Sequence, residues 1–401
     1  MSLVRLRTRA GGLLLGAAVV FLMGTNAQAG WLLVIAALLV GAVLAGAMLP
    51  LVGLRGLEAD VGVPGEATQG ETTYVDVRVW LRGRGVRWGL RVRDDHLAST
   101  DAFIDAVRAG ERVDVTTERV AARRGRHRID HVEVRTSAPF GVVERRRCLP
   151  VAAETLVVPS VVPLGPLPFV DPVGTAEPAI HSAPRRGRGP EYLGIREYRT
   201  GDSMRHVHWA STARHGAVMV REFEEERTRR LLVVLDTERD AQPSGSEPTP
   251  LDRCCTAAAS FATSALLHGH GSRLAAATPT GLEVLSRTDD ADILRWLAEI
   301  EPSGVGMAAA SGDLPLDATR GAETVVLVAP AWPSAEGPLV AAVGVLGALV
   351  PRVACVLVGT EAAGVPDPAV HAVGASLLAA GAEVYPWAPG ADLAEVLGAR
   401  A

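Results

Sequence analysis

The sequence predicts a membrane-anchored chain of several domains: an α-helical hairpin, an antiparallel β-sandwich and a doubly wound α/β domain. Three patterns carry that prediction. Two apolar runs fill residues 1–55, short alternating strands with glycine turns fill 56–150, and buried strands alternate with helices over 229–401. A linker and a dense polar segment occupy 151–228 between them. At 401 residues the chain has room for two or three separate cores.

The hairpin is read from Ala10 to Met23 and from Trp31 to Leu54, with a short polar break at Thr25, Asn26 and Gln28. The second run is long enough to span about 30 Å of hydrocarbon, and the first reaches that length only with Gly24 to Ala29. Arg5, Arg7 and Arg9 precede the first run, Arg55 follows the second, and the connecting turn has no positive residue. The excess of arginine at both ends places both in the cytoplasm, with the body from Gly56 to Ala401 beneath an inner (plasma) membrane. The competing reading is a signal peptide cleaved near Ala27-Gln28-Ala29, which would leave one span and an external body.

The β-sandwich rests on period-two alternation in Glu71–Leu81, continued at Val86–Val92, Arg112–Val120, Arg128–Val134 and Gly141–Arg145. Gly83, Gly85, Gly110, Gly125 and Pro139 punctuate these runs. From Arg119 to Arg147 nine arginines face three acids, a local net charge of +6. That stretch reads either as a contact for anionic lipid heads or as solvated strand faces. Leu149 to Pro190 is rich in proline and glycine and reads as an extended linker.

The α/β domain begins with Leu231–Asp236, an apolar strand ending in an acid. Helices are predicted at 251–267, 291–300, 339–349, 369–380 and 393–397. Strands are predicted at 274–278, 283–286, 323–329, 353–359 and 383–387. Such alternation implies right-handed βαβ units, whose ligand sites lie at the carboxyl ends of the strands. Asp236 sits on that rim.

Composition removes several chemistries. The 40 cationic residues are all arginine, so a phosphate-loop lysine, a Schiff-base lysine and a kinase-type lysine are all excluded. Codon bias in a GC-rich genome accounts for the missing lysine. A net charge of −5 gives no global basic excess for a nucleic-acid partner. Cys148, Cys254, Cys255 and Cys355 form no C-x-x-C pair and read as reduced, buried thiols. No G-x-S-x-G or H-E-x-x-H sequence is present, so the usual hydrolase signatures are absent.

The densest polar information lies between Gly187 and Arg227. It contains Arg196-Glu197-Tyr198, Gly201-Asp202, Arg205, Val207-His208-Trp209, Ser211, Ala213-Arg214, Gly216 and Glu222-Phe223-Glu224. Thr200-Gly201-Asp202 is a turn signal, and Asp202 is expected to cap a short helix carrying Met204, Val207 and Trp209. This segment resembles the signature of the bacterial domain-of-unknown-function family fifty-eight, and Ser137-Ala138-Pro139-Phe140-Gly141 is similar to that family's D-P-F-G turn. The resemblance implies two N-terminal spans, a β-rich domain and a von Willebrand A-like α/β domain. It also implies a MoxR-type AAA ATPase as partner and a transglutaminase-like membrane protein nearby. It supplies context and no reaction.

Two metal readings follow. The von Willebrand A-like metal motif is D-x-S-x-S, and the corresponding residues here are Asp236, Glu238 and Asp240. Three acids at alternate positions could hold magnesium or calcium, whereas Arg239 and the missing hydroxyls point to an ordinary acidic loop. His206 and His208 could share zinc on a strand but face opposite sides of a helix. The alternative there packs His208 and Trp209 while Asp202, Arg205 and Arg214 form an ion-pair network. The sequence reading is therefore a non-enzymatic, membrane-anchored scaffold. Its docking or structural motif comprises Arg196, Tyr198, Gly201, Asp202, Arg205, His208, Trp209, Ser211, Arg214, Glu222 and Glu224. The alternative is a divalent-metal-dependent binding protein or enzyme using the acidic rim.

Overall fold

The computed structural model describes residues 4–6, 9–93, 102–170, 186–198, 207–224, 230–238, 248–278, 281–285, 289–304, 314, 316–332, 334–360 and 367–398. The chain divides into two compact units. The first is Met1–Ser160 with Gly245–Asp252 and Leu294–Ile300; the second is Val161–Ser244 with Arg253–Ile293 and Glu301–Ala401.

The first unit opens with strand β1 (Val4–Leu6) and helices α1 (Arg9–Asn26) and α2 (Gly30–Gly53). Gln28 turns the chain between the helices at φ 51°. Leu14, Phe21, Leu22, Leu38, Val34 and Met48 are exposed along the hairpin, apolar surface that water solvates poorly. Among the described residues α2 alone is long and apolar enough to cross a membrane, over Gly30–Pro50; α1 is apolar but shorter.

Eight strands follow: β2 (Leu57–Gly62), β3 (Glu66–Thr68), β4 (Thr72–Leu81), β5 (Val86–Arg93), β6 (Ala102–Arg108), β7 (Arg112–Val120), β8 (Gly125–Thr136) and β9 (Val143–Val158). They form one sheet in the order β1-β9-β8-β5-β6, with β3 parallel on β9, and a second in the order β2-β4-β7. Alternation on β4 turns Val75, Val77, Val79 and Leu81 inward. They join Leu90, Val92, Ile104, Val107, Ile129, Val132 and Val134 of the other sheet in one core. The strands anticipated from period-two patterning are present. The connector expected from Leu149 starts only after Val158, because β9 continues through Pro150 at a shift in its register with β8.

The basic stretch is largely engaged inside this unit. Arg124 is buried, pairs with Asp252, and donates to the carbonyls of Leu297 at 3.0 Å and Ile300 at 2.6 Å. Asp252 also closes a reciprocal cap with Thr249, whose amide and hydroxyl meet its carboxylate and amide. Exposed Arg126 pairs with Glu154 and Glu299, which raises its pKa further. Arg135 and Arg146 pair with Glu133, and Arg146 with Glu144 as well.

The second unit begins with Val161–Val170 packed along its largest helix. The Val162 amide donates to Ser260 Oγ at 2.9 Å, and the Ser264 hydroxyl donates to the Gly165 carbonyl at 3.0 Å. Strands β10 (Arg186–Glu197) and β11 (Met219–Glu224) pair as an antiparallel ribbon, with α3 (Trp209–His215) between them in sequence.

The remaining elements are β12 (Arg230–Leu235), α4 (Pro250–Leu267), β13 (Gly271–Thr278), β14 (Gly281–Leu285), α5 (Asp290–Glu299), α6 (Leu316–Thr319), β15 (Thr324–Pro330), α7 (Glu336–Leu349), β16 (Arg352–Val358), α8 (Pro368–Ala379), β17 (Glu383–Trp387) and α9 (Leu393–Gly398). The sheet order is β14-β13-β12-β15-β16-β17, parallel except for edge strand β14. Its central strands are buried on both faces, hence the near-continuous apolar sequences LLVVL and TVVLVAP. Leu232, Val234, Leu327 and Leu357 pack with Leu339 and Leu346 of α7 and Leu377 of α8. Phe169 stands edge-on to both Phe261 of α4 and Tyr385 of β17.

Candidate functional site

Two places in the second unit hold the residues singled out by the sequence. The first is the carboxyl rim of the parallel sheet. From β12 the chain crosses to β13 on one side, and β15 pairs with β12 on the other. Asp236 follows β12 at this topological switch point, the usual ligand crevice of an open α/β sheet. Its amide donates to the Val328 carbonyl at 2.9 Å, and its Oδ1 accepts from the Glu238 amide at 3.1 Å. Burial pushes the Asp236 carboxyl up to about 7. The Glu238 amide works against that rise and the Glu238 charge adds to it.

Neighbouring groups on the rim are committed elsewhere. The Thr237 hydroxyl donates to the Ala277 carbonyl at 2.6 Å, and the Ser303 amide donates to the Thr237 carbonyl at 2.7 Å. Asp367 caps α8 through the amides of Ala369 and Val370 and also accepts from the Thr360 amide. Arg253 lies over the Trp387 ring at 4.7 Å and donates to the carbonyls of Gly359 and Trp387. Its burial lowers its pKa.

Of the three acids assigned to a metal site, Asp236 and Glu238 are described and Asp240 lies outside the described residues. Among the described residues no group of three His, Cys, Asp or Glu could hold a metal ion. Two carboxylates, with the intervening Thr237 hydroxyl turned to a backbone carbonyl, do not by themselves make a magnesium or calcium cradle, which needs six or more oxygens.

The second place is the ribbon and helix α3. His208 is the N-cap: its Nδ1 accepts from the Ser211 amide at 3.2 Å and lies 2.8 Å from the Ser211 hydroxyl. Thr212 donates through its hydroxyl to the His208 carbonyl and accepts from the Met219 amide, which locks α3 to β11. Gly216 closes the helix in the left-handed region at φ 72°. Val207 bridges to Val220, and the Tyr198 amide donates to the Val218 carbonyl.

This geometry corrects the expectation of a helix carrying Val207 under an Asp202 cap. Val207 is extended, the helix starts at Trp209, and His208 supplies the cap. Gly201, Asp202, Arg205 and His206 lie outside the described residues. Trp209 does not pack: it is 68% exposed, and α3 buries none of its residues. Tyr198 is 38% exposed and Arg214 is exposed. Arg196 lies on β10, and Glu222 and Glu224 on β11, where Arg196 pairs with Val220 and Gly194 with Glu222 in register. The pairing itself was hidden by the glycine- and proline-rich sequence of β10, which reads as loop.

Residues 194–361 match the family described as Protein of unknown function DUF58. The chain carries a DUF58 segment. The match covers β11 through β16 and includes the capped helix, the exposed Trp209 and the Asp236 rim. No curated protein matches the chain. Among solved structures, the chain is similar to the CARDB domain of the PF1109 protein from Pyrococcus furiosus, at 12% identity and a TM-score of 0.19, over 25% of this chain and 94% of that one. It is also similar to a point mutant of the PilB minor pilin from Streptococcus sanguinis, at 8% identity and a TM-score of 0.27, over 86% of this chain and 77% of that one.

Proposed function

We propose that this DUF58 protein is a non-enzymatic, membrane-anchored scaffold that docks a protein partner on its family segment. The single observation that carries the reading is Trp209. A tryptophan on a capped helix, exposed over two-thirds of its surface and accompanied by Tyr198 and Arg214, has the residue types that dominate binding energy at protein interfaces. The apolar hairpin supports a membrane anchor of two spans with the soluble units in the cytoplasm. Two sheets sharing one core support the β-sandwich reading of the first unit. The order β14-β13-β12-β15-β16-β17, with an antiparallel edge, supports a von Willebrand A-like second unit. The resemblance of the family segment points to a MoxR-type AAA ATPase as the partner, beside a transglutaminase-like membrane protein, in envelope-related assembly.

Affinity capture from solubilised membranes tests this. The expected result is recovery of the ATPase with the wild-type chain and its loss with Trp209→Ala, the variant remaining folded by circular dichroism. A wild-type capture without any such ATPase would overturn the partner assignment.

A second reading, ligand binding at the sheet rim, is favoured by the position of Asp236 at the switch point. Titration calorimetry of the full chain with magnesium, manganese and calcium tests its cation form. Absence of heat with all three removes it.

A further inference from the structure

The turn between β8 and β9 lies beside the hairpin at a level well inside α2. A Cβ added to Gly46 of α2 would stand 2.8 Å from Val142 Cγ2 and 3.4 Å from Phe140 Cβ. Val142 and Val143 are buried and pack with Leu13 of α1 and with Val43 and Ala47 of α2. Gly53, near the end of α2, lies against Thr136. The stretch from Thr136 to Val143 therefore runs along the helix from its C-terminal end toward its middle. At about 1.5 Å per residue, Gly46 is about 6 Å inside the Pro50 end of the apolar span.

We propose that the Ser137–Val142 turn is inserted into the interfacial layer of the bilayer next to the hairpin, with Phe140 facing lipid as an anchor. The inference rests on the reading of α2 as a membrane span. Three features suit the turn to that layer. Phe140 is 48% exposed while the valines behind it are buried against the helices, so its apolar surface continues the exposed surface of α2. An amphipathic element seats about 5–10 Å into the headgroup boundary, and aromatic residues concentrate there. Part of the turn's backbone is also satisfied internally. The Gly141 amide donates to the Ser137 carbonyl at 2.7 Å, the Ala138 amide to Thr136 Oγ1 at 3.3 Å, and Pro139 has no amide to satisfy.

The test places a nitroxide label on the full chain in phosphatidylethanolamine–phosphatidylglycerol vesicles, with Cys148→Ser removing the one exposed native thiol among the described residues. Labels are compared at Phe140→Cys, at exposed α2 positions Leu38→Cys and Met48→Cys, and at Asp114→Cys on exposed strand β7. The readout is the ratio of collisions with oxygen to those with a water-soluble nickel complex. The expected ratio at position 140 matches position 48, lies below position 38, and lies well above position 114. A ratio at 140 equal to that at 114, with position 38 in lipid, overturns the insertion and leaves the span intact. A water-like ratio at position 38 overturns the span and the insertion with it.

Discussion

Arg147 of β9 donates through Nη1 to the carbonyl of Leu54, 2.7 Å away, immediately after the C-terminus of α2. Leu54 is fully buried, so this guanidinium satisfies one of the carbonyls that a helix end leaves without an internal partner, and its charge suits the negative end of the helix dipole. Arg87 does the same for the Arg55 carbonyl at 3.2 Å. The apolar helix α2 is thus hydrogen-bonded into the strand unit that follows it.

Arg147→Met keeps the side-chain stem and removes the donor. The Leu54 carbonyl then stays buried and unpaired, at a cost of about 1–3 kcal/mol. The melting temperature of the full chain in nanodiscs is expected to fall, and Arg147→Lys to recover part of the loss.

Arg124 and Asp252 make a larger test. Their side chains are each 5% exposed, and removing one leaves the other charged in a dry environment. Arg124→Met or Asp252→Asn alone is expected to cost about 3–5 kcal/mol. The double variant is expected to be less damaged than the sum, since neither charge remains. Denaturant midpoints for the three variants form the cycle that measures the coupling.

Asp236 gives a pH dependence with a definite sign. Its carboxyl titrates at about 7 in the folded chain against 3.8 ordinarily, so folding favours the protonated form. That contribution is complete below about pH 4 and declines by about 1.4 kcal/mol per unit as pH rises toward 7. Asp236→Asn removes the decline. The melting temperature of the variant minus that of wild type is expected to increase from about pH 5 to about pH 8, and a constant difference would contradict the burial argument.

The cap on α3 and the exposed Trp209 beside it differ in what they contribute to folding. His208→Ala deletes the side-chain acceptor for the Ser211 amide, which keeps the His208 carbonyl at 3.0 Å, and is expected to cost about 0.5–2 kcal/mol of local stability. Trp209→Ala touches an exposed side chain and is expected to change stability by less than about 0.5 kcal/mol. Amide exchange at Ser211 and Thr212 distinguishes the two, rising in the first variant and staying unchanged in the second.

What the amino-acid pattern determined by itself was local. Period-two alternation marked Thr72–Leu81 and Arg112–Val120, continuous apolar runs marked Arg230–Leu235 and Thr324–Pro330, and the hairpin followed from two apolar runs and the polar break between them. These signals survive because burial of one face, or of both, is written at each position of a strand or helix. The tertiary structure decided what depends on distant partners. It paired β10 with β11 across an intervening helix and carried β9 to Val158. It left Trp209 in solvent, against the alternative that packed it, and it turned the arginines of a seemingly basic stretch onto Asp252, Glu154, Glu299 and the Leu54 carbonyl. The physical reason is that charge and exposure are properties of a three-dimensional neighbourhood. A net charge of +6 counted along the chain is halved when Asp252, Glu154 and Glu299 from other segments pair with its arginines.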